Sequence, residues 1–416
     1  MKLFKTWFPY FIILGPVSFT FITTIIGYNY AEHDAVYKYY NIVIALMCYL
    51  YVFYLSVRNN YKFNVYGLIL ALVFVSGYFF SYLILKNKST IAYDMWTYYI
   101  IWALPAYLLG MVSSRDKLFL NNMWKSIDLF MLVITIIVVI NGVYFLKNGR
   151  QTFSTSGTIT YQTISYLSAF AFGLNYFLLI DTENTNRAVF FRKNIFYKIF
   201  SILLLFLQGV SLVVTGGRGG FILLVVYFFY ITFFQKAEKR NYFKIVVVLA
   251  IIAFVTIIFT SNNKAIDMGL QRIFSYITDE GIDMSETSYR DVNYKVALDL
   301  ISQRPAFGYG IYGLFMYTFY PHNIVLEILL GGGICYLILF VIFLVFISKK
   351  FIRIKNLNKN SLLIFLILLY DLVMLMFSGT YLSATALWFF IGFVINYRTK
   401  KNINYATNLL SVKYNV

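Results

Sequence analysis

One arginine, Arg218, stands between two pairs of glycines in the run from Gly216 to Gly220. Its guanidinium group carries a fixed fork of N–H donors that suits phosphate oxygens. The glycines on both sides lack the side chains that would block a bulky ligand. The run therefore predicts an anion-binding turn, and a tight turn with a snorkelling arginine is an equally good alternative.

A second arginine, Arg290, lies in a segment, 288–291, that has the form of a helix-capping box. It would stand in the first turn of the helix, where its charge opposes the helix dipole. A cation together with free N–H groups can bind an anion. A local ion pair with Asp291 or Glu286 is the alternative, and this segment alone favours the ion pair.

The helix that begins at this capping box is predicted to end at Gln303, because the residue before Pro305 avoids the helical region. Val292, Val296 and Leu300 recur at helical spacing and share one face.

The run from Gly308 to Gly313 matches the pattern G-x-G-x-x-G. No strand is predicted before it and an apolar run follows, so it is not a dinucleotide-binding turn. Gly308 and Gly310 permit a sharp turn and the close approach of a ligand. A flexible connection to the next apolar run is the alternative.

The chain has two histidines, and one of them, His322, lies between Pro321 and Asn323 at the start of an apolar run. Imidazole titrates near neutral pH and can act as a general base, although a single histidine is more often structural. Glu327 lies about one turn further along the same run, and Asp371 lies in a later one. Carboxylates within such runs are candidates for function or for pairing.

Glu32, His33 and Asp34 are adjacent and could bind a divalent metal. As a motif the triplet is weak, and a solvated acidic loop accounts for it better. The two cysteines, Cys48 and Cys335, fall in apolar runs and lack a metal-binding spacing. Neither set of residues predicts a metal site or a cofactor.

These residues belong to a 416-residue chain that has too little polar surface for a water-soluble protein. It is 60% hydrophobic and only 12% charged, with a mean hydropathy of +0.72, against roughly 25% charged residues in soluble domains. This composition excludes a soluble globular protein and a disordered one. The net charge of +18 would suggest nucleic acid in a soluble chain. Here we attribute it to basic cytoplasmic loops, and we expect no nucleic-acid partner.

About 20 apolar residues cross a bilayer, and the apolar runs predict an all-α polytopic membrane protein with about twelve transmembrane helices. The predicted spans are 7–28, 39–57, 63–85, 93–112, 126–146, 161–180, 198–215, 219–235, 243–261, 321–347, 361–378 and 380–397. The two spans on either side of the glycine run could instead form one broken element.

Lysine and arginine set the predicted topology. With both termini in the cytoplasm, the inner segments hold 24 of these residues and the outer ones 11, five of them in one long loop. This long outer loop, 262–320, lies between spans nine and ten, and loops of such length usually have a function. We predict a single transmembrane domain, 1–416, with this loop inserted in it.

Two parts of the chain resemble the O-antigen polymerase and ligase superfamily, which includes capsule and exopolysaccharide polymerases. The first is the glycine-flanked Arg218. The second is a diffuse series with a characteristic order: Arg290, Ala297-Leu298, Arg304-Pro305, Gly308, Gly310, His322-Asn323 and the glycines 331–333. Many spans and one long outer loop late in the chain are also similar to this family.

The resemblance implies a membrane glycosyltransferase of the GT-C type in the bacterial cell (inner) membrane. Its donor is a glycan on undecaprenyl pyrophosphate at the outer face. Arg218 and Arg290 resemble the family's pyrophosphate-binding arginines, and His322 resembles its histidine near the reacting centre. Arg304 is a weaker match, because the family shows various residues there. The resemblance also implies that the arginines stabilise the departing pyrophosphate without a metal.

The predicted function is polymerisation of lipid-linked oligosaccharide repeat units for O-antigen, capsule or exopolysaccharide. An O-antigen ligase, which hands the finished glycan to the lipid A-core of lipopolysaccharide, is the alternative, and a glycan flippase or transporter is the second. The expected partners are the undecaprenyl-pyrophosphate-linked glycan, the bilayer, and a chain-length regulator and flippase of the same pathway. The predicted catalytic residues are Arg218, Arg290 and His322, and the predicted substrate contacts are Arg218, Arg290, Arg304, Gly308, Gly310 and Asn323.

Overall fold

The structure is a computed structural model that describes residues 2–26, 34–58, 60–61, 63–148, 160–181, 184–234, 263–275, 277–278, 281–282 and 290–397. Helices make up almost all of this part of the chain. The β structure within it is one antiparallel pair of two-residue strands, β1 (Ile277–Thr278) and β2 (Gly281–Ile282). The predicted all-α class is confirmed.

The described α-helices follow one another along the chain in the order α1 Lys2–Leu14, α2 Phe19–Ile26, α3 Asp34–Arg58, α4 Val65–Leu83, α5 Thr90–Tyr98, α6 Leu104–Ser113, α7 Lys117–Asn148, α8 Tyr161–Ile180, α9 Val189–Lys193, α10 Ile195–Thr215, α11 Arg218–Phe229, α12 Lys264–Ile273, α13 Arg290–Gln303, α14 Ile324–Leu357, α15 Leu362–Phe377 and α16 Thr385–Asn396. Short 3₁₀ turns occur at Gly15–Ser18, Gly313–Met316, Lys359–Ser361 and Tyr381–Ser383. π-helical turns at Tyr99–Ala103 and Tyr230–Phe234 extend α5 and α11.

Eight helical segments of the described chain are long and apolar enough to cross a membrane, and three shorter ones are also apolar. Together they account for every predicted span except 243–261, which lies outside the described residues. The segments around the glycine run, α10 and α11, are two separate helices, so the single broken element is wrong there. The chain is therefore a polytopic membrane protein.

Helix α8 runs through the centre of the bundle, and every residue from Ile164 to Leu179 is buried inside the protein. It packs against α7, α10, α11 and α15. Its Gly173 lies directly under the ring of Tyr227 on α11, so a side chain there would overlap the ring. The lack of a side chain at Gly173 is what lets the fully buried Tyr227 pack against α8.

Helices α6 and α16 pack closely against each other. A side chain at Gly110 on α6 would overlap the carbonyl of Phe389, and one at Gly392 on α16 would overlap the carbonyl of Tyr107. Small residues at reciprocal positions let two backbones approach, which is how membrane helices gain packing energy in lipid. This pair fixes the last helix against the first half of the chain.

Helix α13, which carries Arg290, ends at Gln303 as predicted. On the predicted apolar stripe, Val292 is 51% exposed and Val296 is 38% exposed. The residue that the helix buries completely is Ala297, one position further round. A small residue suits this contact, since it brings the helix backbone close to its neighbours.

Candidate functional site

The glycine run ends one helix and begins the next. Gly216 adopts a left-handed conformation, with a φ of +63°, and its N–H caps α10 by donating to the carbonyls of Leu212 and Val213. Arg218 is then the first residue of α11, and its Nη1 donates to Ser275 Oγ at 3.1 Å. A half-buried cation thus stands where free N–H groups and the helix dipole are also positive.

The glycines beside Arg218 do not clear space for a ligand, so that part of the sequence interpretation is wrong. Gly217 and Gly220 face Ser165 on α8, whose Oγ donates to the Gly217 carbonyl at 2.9 Å. Gly219 faces the hydroxyl of Tyr166 on the same helix. The absent side chains instead allow α11 to begin in close contact with α8.

Arg290 and His322 lie in the same region of the fold. Arg290 is the first residue of α13 and is half-buried. Its charge acts on the imidazole of His322 and on the hydroxyl of Tyr166, the residue that faces Gly219. The structure therefore gathers Arg218, Arg290 and His322 around one end of α8, although 104 positions separate the first and last of them in the sequence.

His322 has an unusual conformation and an unused polar atom. Its φ is +56°, a left-handed value that is uncommon for a residue other than glycine and that concentrates at functional sites. Its ring stands edge-on to Tyr320, with centroids 4.7 Å apart. Its Nδ1 is buried and has no hydrogen-bond partner among the described residues. An unsatisfied buried nitrogen is costly and is consistent with a group held ready for a substrate.

The protonation state of His322 follows from this environment. Burial lowers the pKa of the imidazole below its usual value of 6.5, and the nearby positive charge of Arg290 lowers it further. The ring is therefore neutral at neutral pH. A neutral imidazole can accept a proton, which an imidazolium cannot.

Asn323, the residue after His322, caps the long helix α14. Its Oδ1 accepts hydrogen bonds from the N–H groups of Val325 and Leu326 at 3.0 and 3.2 Å. This cap positions His322 just outside the helix. Substrate contact by Asn323 stays a prediction.

Gly308 and Gly310 lie beside a break in helix α14. The helix is interrupted at Gly332 and Gly333, so two of its internal hydrogen bonds are missing. The N–H groups of Tyr309 and Gly310 donate to the freed carbonyls of Leu330 and Gly331 at 2.8 and 2.7 Å.

The same break frees two amides, which the segment before Gly308 satisfies. The N–H groups of Ile334 and Cys335 donate to the carbonyls of Pro305 and Ala306 at 2.8 and 3.2 Å. Gly308 itself has a φ of +59°, and any side chain there would overlap the backbone of α14. The close approach permitted at Gly308 is thus made by the protein's own backbone. Ligand binding by Gly308 and Gly310 stays a prediction.

Arg304 lies apart from the other two arginines. It follows the last residue of α13 and is exposed, with its guanidinium 4.8 Å from the centre of the Tyr309 ring. A rise of about 1.5 Å per residue places it on the order of 20 Å from Arg290 at the other end of the helix. The structure does not bring Arg304 into the region of Arg290 and His322.

Comparison with known proteins shows that one family model matches the part of the chain that contains these residues. Residues 202–341 match the family model described as O-antigen ligase. The chain carries an O-antigen ligase-like segment. The resemblance to the O-antigen polymerase and ligase superfamily is thereby confirmed, over 140 of the 416 residues. No curated protein and no solved structure matches the chain significantly.

The O-antigen ligase-like segment contains all seven predicted site residues, which are Arg218, Arg290, Arg304, Gly308, Gly310, His322 and Asn323. It also contains Glu327, which is 1% exposed and accepts hydrogen bonds from the Thr380 hydroxyl and the Tyr381 N–H. These bonds tie α14 to the turn before α16. They give Glu327 a structural partner of the kind expected for a buried carboxylate.

Asp371 lies outside the segment and also has a structural partner. Its Oδ2 accepts from the N–H of Leu387 at 2.9 Å, in the first turn of α16. The residue before that helix, Ala384, has no capping side chain. Asp371 therefore caps α16 from a neighbouring helix and offsets its N-terminal dipole.

Sequence reasoning missed a buried ion pair on the predicted inner side. Arg187, counted above only as a basic loop residue, donates to both carboxylate oxygens of Asp128 on α7, at 2.6 and 3.1 Å. Both side chains are 1% exposed. Asp128 falls within the predicted span 126–146. A carboxylate inside a membrane span indicates a buried partner, so the sequence did contain a sign of this ion pair.

The structure contains no group of three or more metal-binding side chains among the residues that it describes. Glu32 and His33, which belong to the acidic triplet of the first loop, lie outside the described residues. The expectation of chemistry without a metal stays a prediction.

Proposed function

We propose that the protein is a polysaccharide polymerase that joins oligosaccharide repeat units carried on undecaprenyl pyrophosphate. One observation carries this proposal: His322, with a buried unpartnered Nδ1, lies within electrostatic range of Arg290 inside the O-antigen ligase-like segment. A cation beside a neutral base is what glycosyl transfer from a pyrophosphate requires.

The reaction assigns a separate task to each group. The acceptor hydroxyl oxygen attacks the anomeric carbon of the donor glycan as the bond to the pyrophosphate oxygen breaks. The electron pair leaves with the pyrophosphate, and the hydroxyl proton passes to His322. Arg218 and Arg290 stabilise the charge that develops on the departing pyrophosphate. No metal or cofactor takes part.

Burial and Arg290, one of the two arginines proposed to bind the leaving group, together lower the pKa of His322 and keep this base neutral. A positive charge near an imidazole disfavours the imidazolium. Arg290 therefore holds His322 in its proton-accepting form before transfer begins. When the pyrophosphate departs, its negative charge offsets Arg290 and favours a proton on His322. The same cation thus serves both halves of the reaction.

We place this reaction at the outer face of the bacterial cell membrane, with both termini in the cytoplasm and 262–320 as the long outer loop. The excess of lysine and arginine in the predicted inner segments supports this orientation. The protein would form a single transmembrane domain of the GT-C type. Its partners would be the lipid-linked glycan, the bilayer, and the chain-length regulator and flippase of the pathway.

A ligase is the second candidate function, because the matching family model is described as O-antigen ligase. A ligase uses the same lipid-linked donor, so the same arginines and histidine would serve it. The two functions differ in the acceptor, which is another lipid-linked repeat unit for a polymerase and the lipid A-core for a ligase.

The surface glycan of a strain that lacks this gene separates the possibilities. For a polymerase, we expect the ladder of chain lengths on a gel to collapse to single repeat units. Long chains retained on undecaprenyl pyrophosphate would instead establish a ligase. Repeat units trapped on the cytoplasmic side would establish a flippase, and an unchanged ladder would contradict a role in this glycan.

A further inference from the structure

Three residues of the long outer loop, Pro305, Ala306 and Phe307, lie beside the break in α14. The carbonyls of Pro305 and Ala306 accept from the N–H groups of Ile334 and Cys335. This pairing fixes the height of the loop segment relative to the long apolar helix. The segment 305–307 therefore lies level with the first residues below the break.

This segment is apolar and exposed. The Phe307 side chain is 77% exposed, and Pro305 and Ala306 are also exposed. Ile334, at the same height on α14, is 47% exposed, and Cys335 beside it is exposed. Water would make this contiguous apolar surface unfavourable, whereas hydrocarbon would stabilise it.

The exposed surface continues down α14 without a charge. Ile338 is 52% exposed and Leu339 is 64% exposed, and the first cation after the break is Lys349. Such an apolar face on a helix of this length is a lipid-facing surface. Phe307 thus lies at the upper end of a surface that lipid already covers.

Helix geometry gives the depth of the segment. Between Ile334 and Lys349 the helix rises by about 22 Å, at roughly 1.5 Å per residue. The hydrocarbon core of a bilayer is about 30 Å thick. With Lys349 at one boundary, Ile334 lies about 8 Å inside the other, and snorkelling of the lysine changes this by only a few Å.

The two carbonyls of the segment that face α14 meet a requirement for such a depth. Polar backbone groups in hydrocarbon need a partner from the protein. The carbonyls of Pro305 and Ala306 have theirs on α14, and the N–H of Gly308 donates to the carbonyl of Arg304 at 3.1 Å. The N–H groups of Tyr309 and Gly310 also donate to carbonyls of α14.

We propose that the long outer loop re-enters the membrane at residues 305–307, with Phe307 inserted among the acyl chains of the leaflet opposite Lys349. The loop is then anchored in lipid at the end of α13, and Arg304 lies at the level of the lipid headgroups. This anchor holds the helix that begins at Arg290 against the membrane surface. The inference concerns the position of the loop and does not depend on the proposed enzymatic activity.

Single cysteines carrying the environment-sensitive NBD fluorophore test this position in the full-length protein. The variants are Phe307→Cys, Ser302→Cys and Leu339→Cys, each combined with Cys335→Ala, while Cys48 is fully buried and stays. Ser302 is exposed on α13 and serves as the matched control for water. Leu339 is the matched control for lipid.

The labelled proteins are reconstituted into phosphatidylcholine vesicles with and without nitroxide groups on the acyl chains. We expect quenching at position 307 to be at least three times that at position 302 and similar to that at position 339. Equal quenching at positions 307 and 302 would overturn the proposal. Positions 302 and 307 lie on the same side of the membrane, so mixed orientation in the vesicles affects both equally.

A second measurement needs no bulky label. The unlabelled cysteine variants react in vesicles with a charged, water-soluble methanethiosulfonate reagent. We expect the thiol at position 307 to react at least ten times more slowly than the thiol at position 302, because the charged reagent does not enter hydrocarbon. Equal rates at the two positions would count against insertion even if a label had disturbed the fold.

Discussion

Arg187 lies on a connection between helices and Arg290 begins a helix, and the structure uses the two arginines differently. Arg187 is buried with Asp128 and also donates to the carbonyls of Leu178 and Asp181, at 2.6 and 2.5 Å. Arg290 is half-buried, and the group that its charge acts on, His322, has an unpartnered nitrogen among the described residues.

This difference separates a structural charge from a functional one. A buried ion pair whose hydrogen bonds are satisfied has nothing left to offer a ligand, and its cost is already offset within the fold. A cation beside an unsatisfied base leaves bonding capacity for a substrate. Judged by burial alone, Arg187 would be the better candidate for a functional arginine. Judged by whether nearby polar groups are already hydrogen-bonded, Arg290 is the better candidate.

The largest effect on stability is expected from the inner pair. Arg187→Ala leaves Asp128 as an uncompensated buried charge, so the free energy of unfolding should fall by about 3–5 kcal/mol. Unfolding of the purified protein in detergent measures this. The double variant Arg187→Met, Asp128→Leu should recover most of the loss, because it removes both charges. An unchanged stability in Arg187→Ala would show that the pair is not structural.

Removal of the outer arginines should affect transfer instead of folding. Arg290→Ala and Arg218→Ala should each lower the rate of glycan transfer by about 10²–10³-fold, the usual loss for one group that stabilises developing charge. Polymer length and the amount of protein in the membrane are the readouts. Lys295→Ala is the matched control, since it removes an exposed charge from the same helix. Full-length polymer in both arginine variants would overturn the site assignment.

His322→Ala should lower the rate by about 10²-fold or more, as expected for loss of a general base. The pH dependence is more specific. Because the pKa of His322 is lowered, the imidazole stays neutral as the pH falls through 6.5, and transfer should decline only at a lower pH. The decline in transfer rate at low pH is the acid limb of the pH profile. In Arg290→Gln the loss of the positive charge should move this acid limb to higher pH. An acid limb that does not respond to the charge at position 290 would contradict the coupling.

The smallest effect is expected from removal of divalent metal. The proposed clamp on the pyrophosphate consists of guanidinium groups, so EDTA should leave the transfer rate of purified protein unchanged. Strong inhibition that magnesium restores would point instead to Glu32, His33 and Asp34. The same assay on variants of these three residues would then decide whether they bind the metal.

Sequence reasoning located the helices well where local chemistry marks their ends. Helix α8 spans the predicted residues 161–180, and the Thr160 hydroxyl caps its start by accepting from the N–H of Thr163. The end of α13 at Gln303 follows from Pro305 in the same way. The sequence did not single out Ala297 as the fully buried residue of α13, because which face of a helix is covered depends on its neighbours in space.

The sequence predicted which residues are candidates for the site, but it did not predict which of them lie close together in space. Arg218, Arg290 and His322 were identified by residue type and order, and the structure gathers them at one end of α8. Arg304 was identified in the same way but lies at the far end of α13. Its distance from Arg290 follows from helix length, whereas the proximity of Arg290 to His322 depends on contacts between distant segments.

By itself the sequence determined an all-α membrane protein, because a chain with so many apolar and so few charged residues has only helices available in a bilayer. It also determined the residue types that can bind a pyrophosphate. Only the tertiary structure decided which polar groups are already satisfied. Asp128, Glu327 and Asp371 have partners at least 16 positions away in the chain. Since such partners are set by helix packing, no local pattern distinguishes these carboxylates from functional ones.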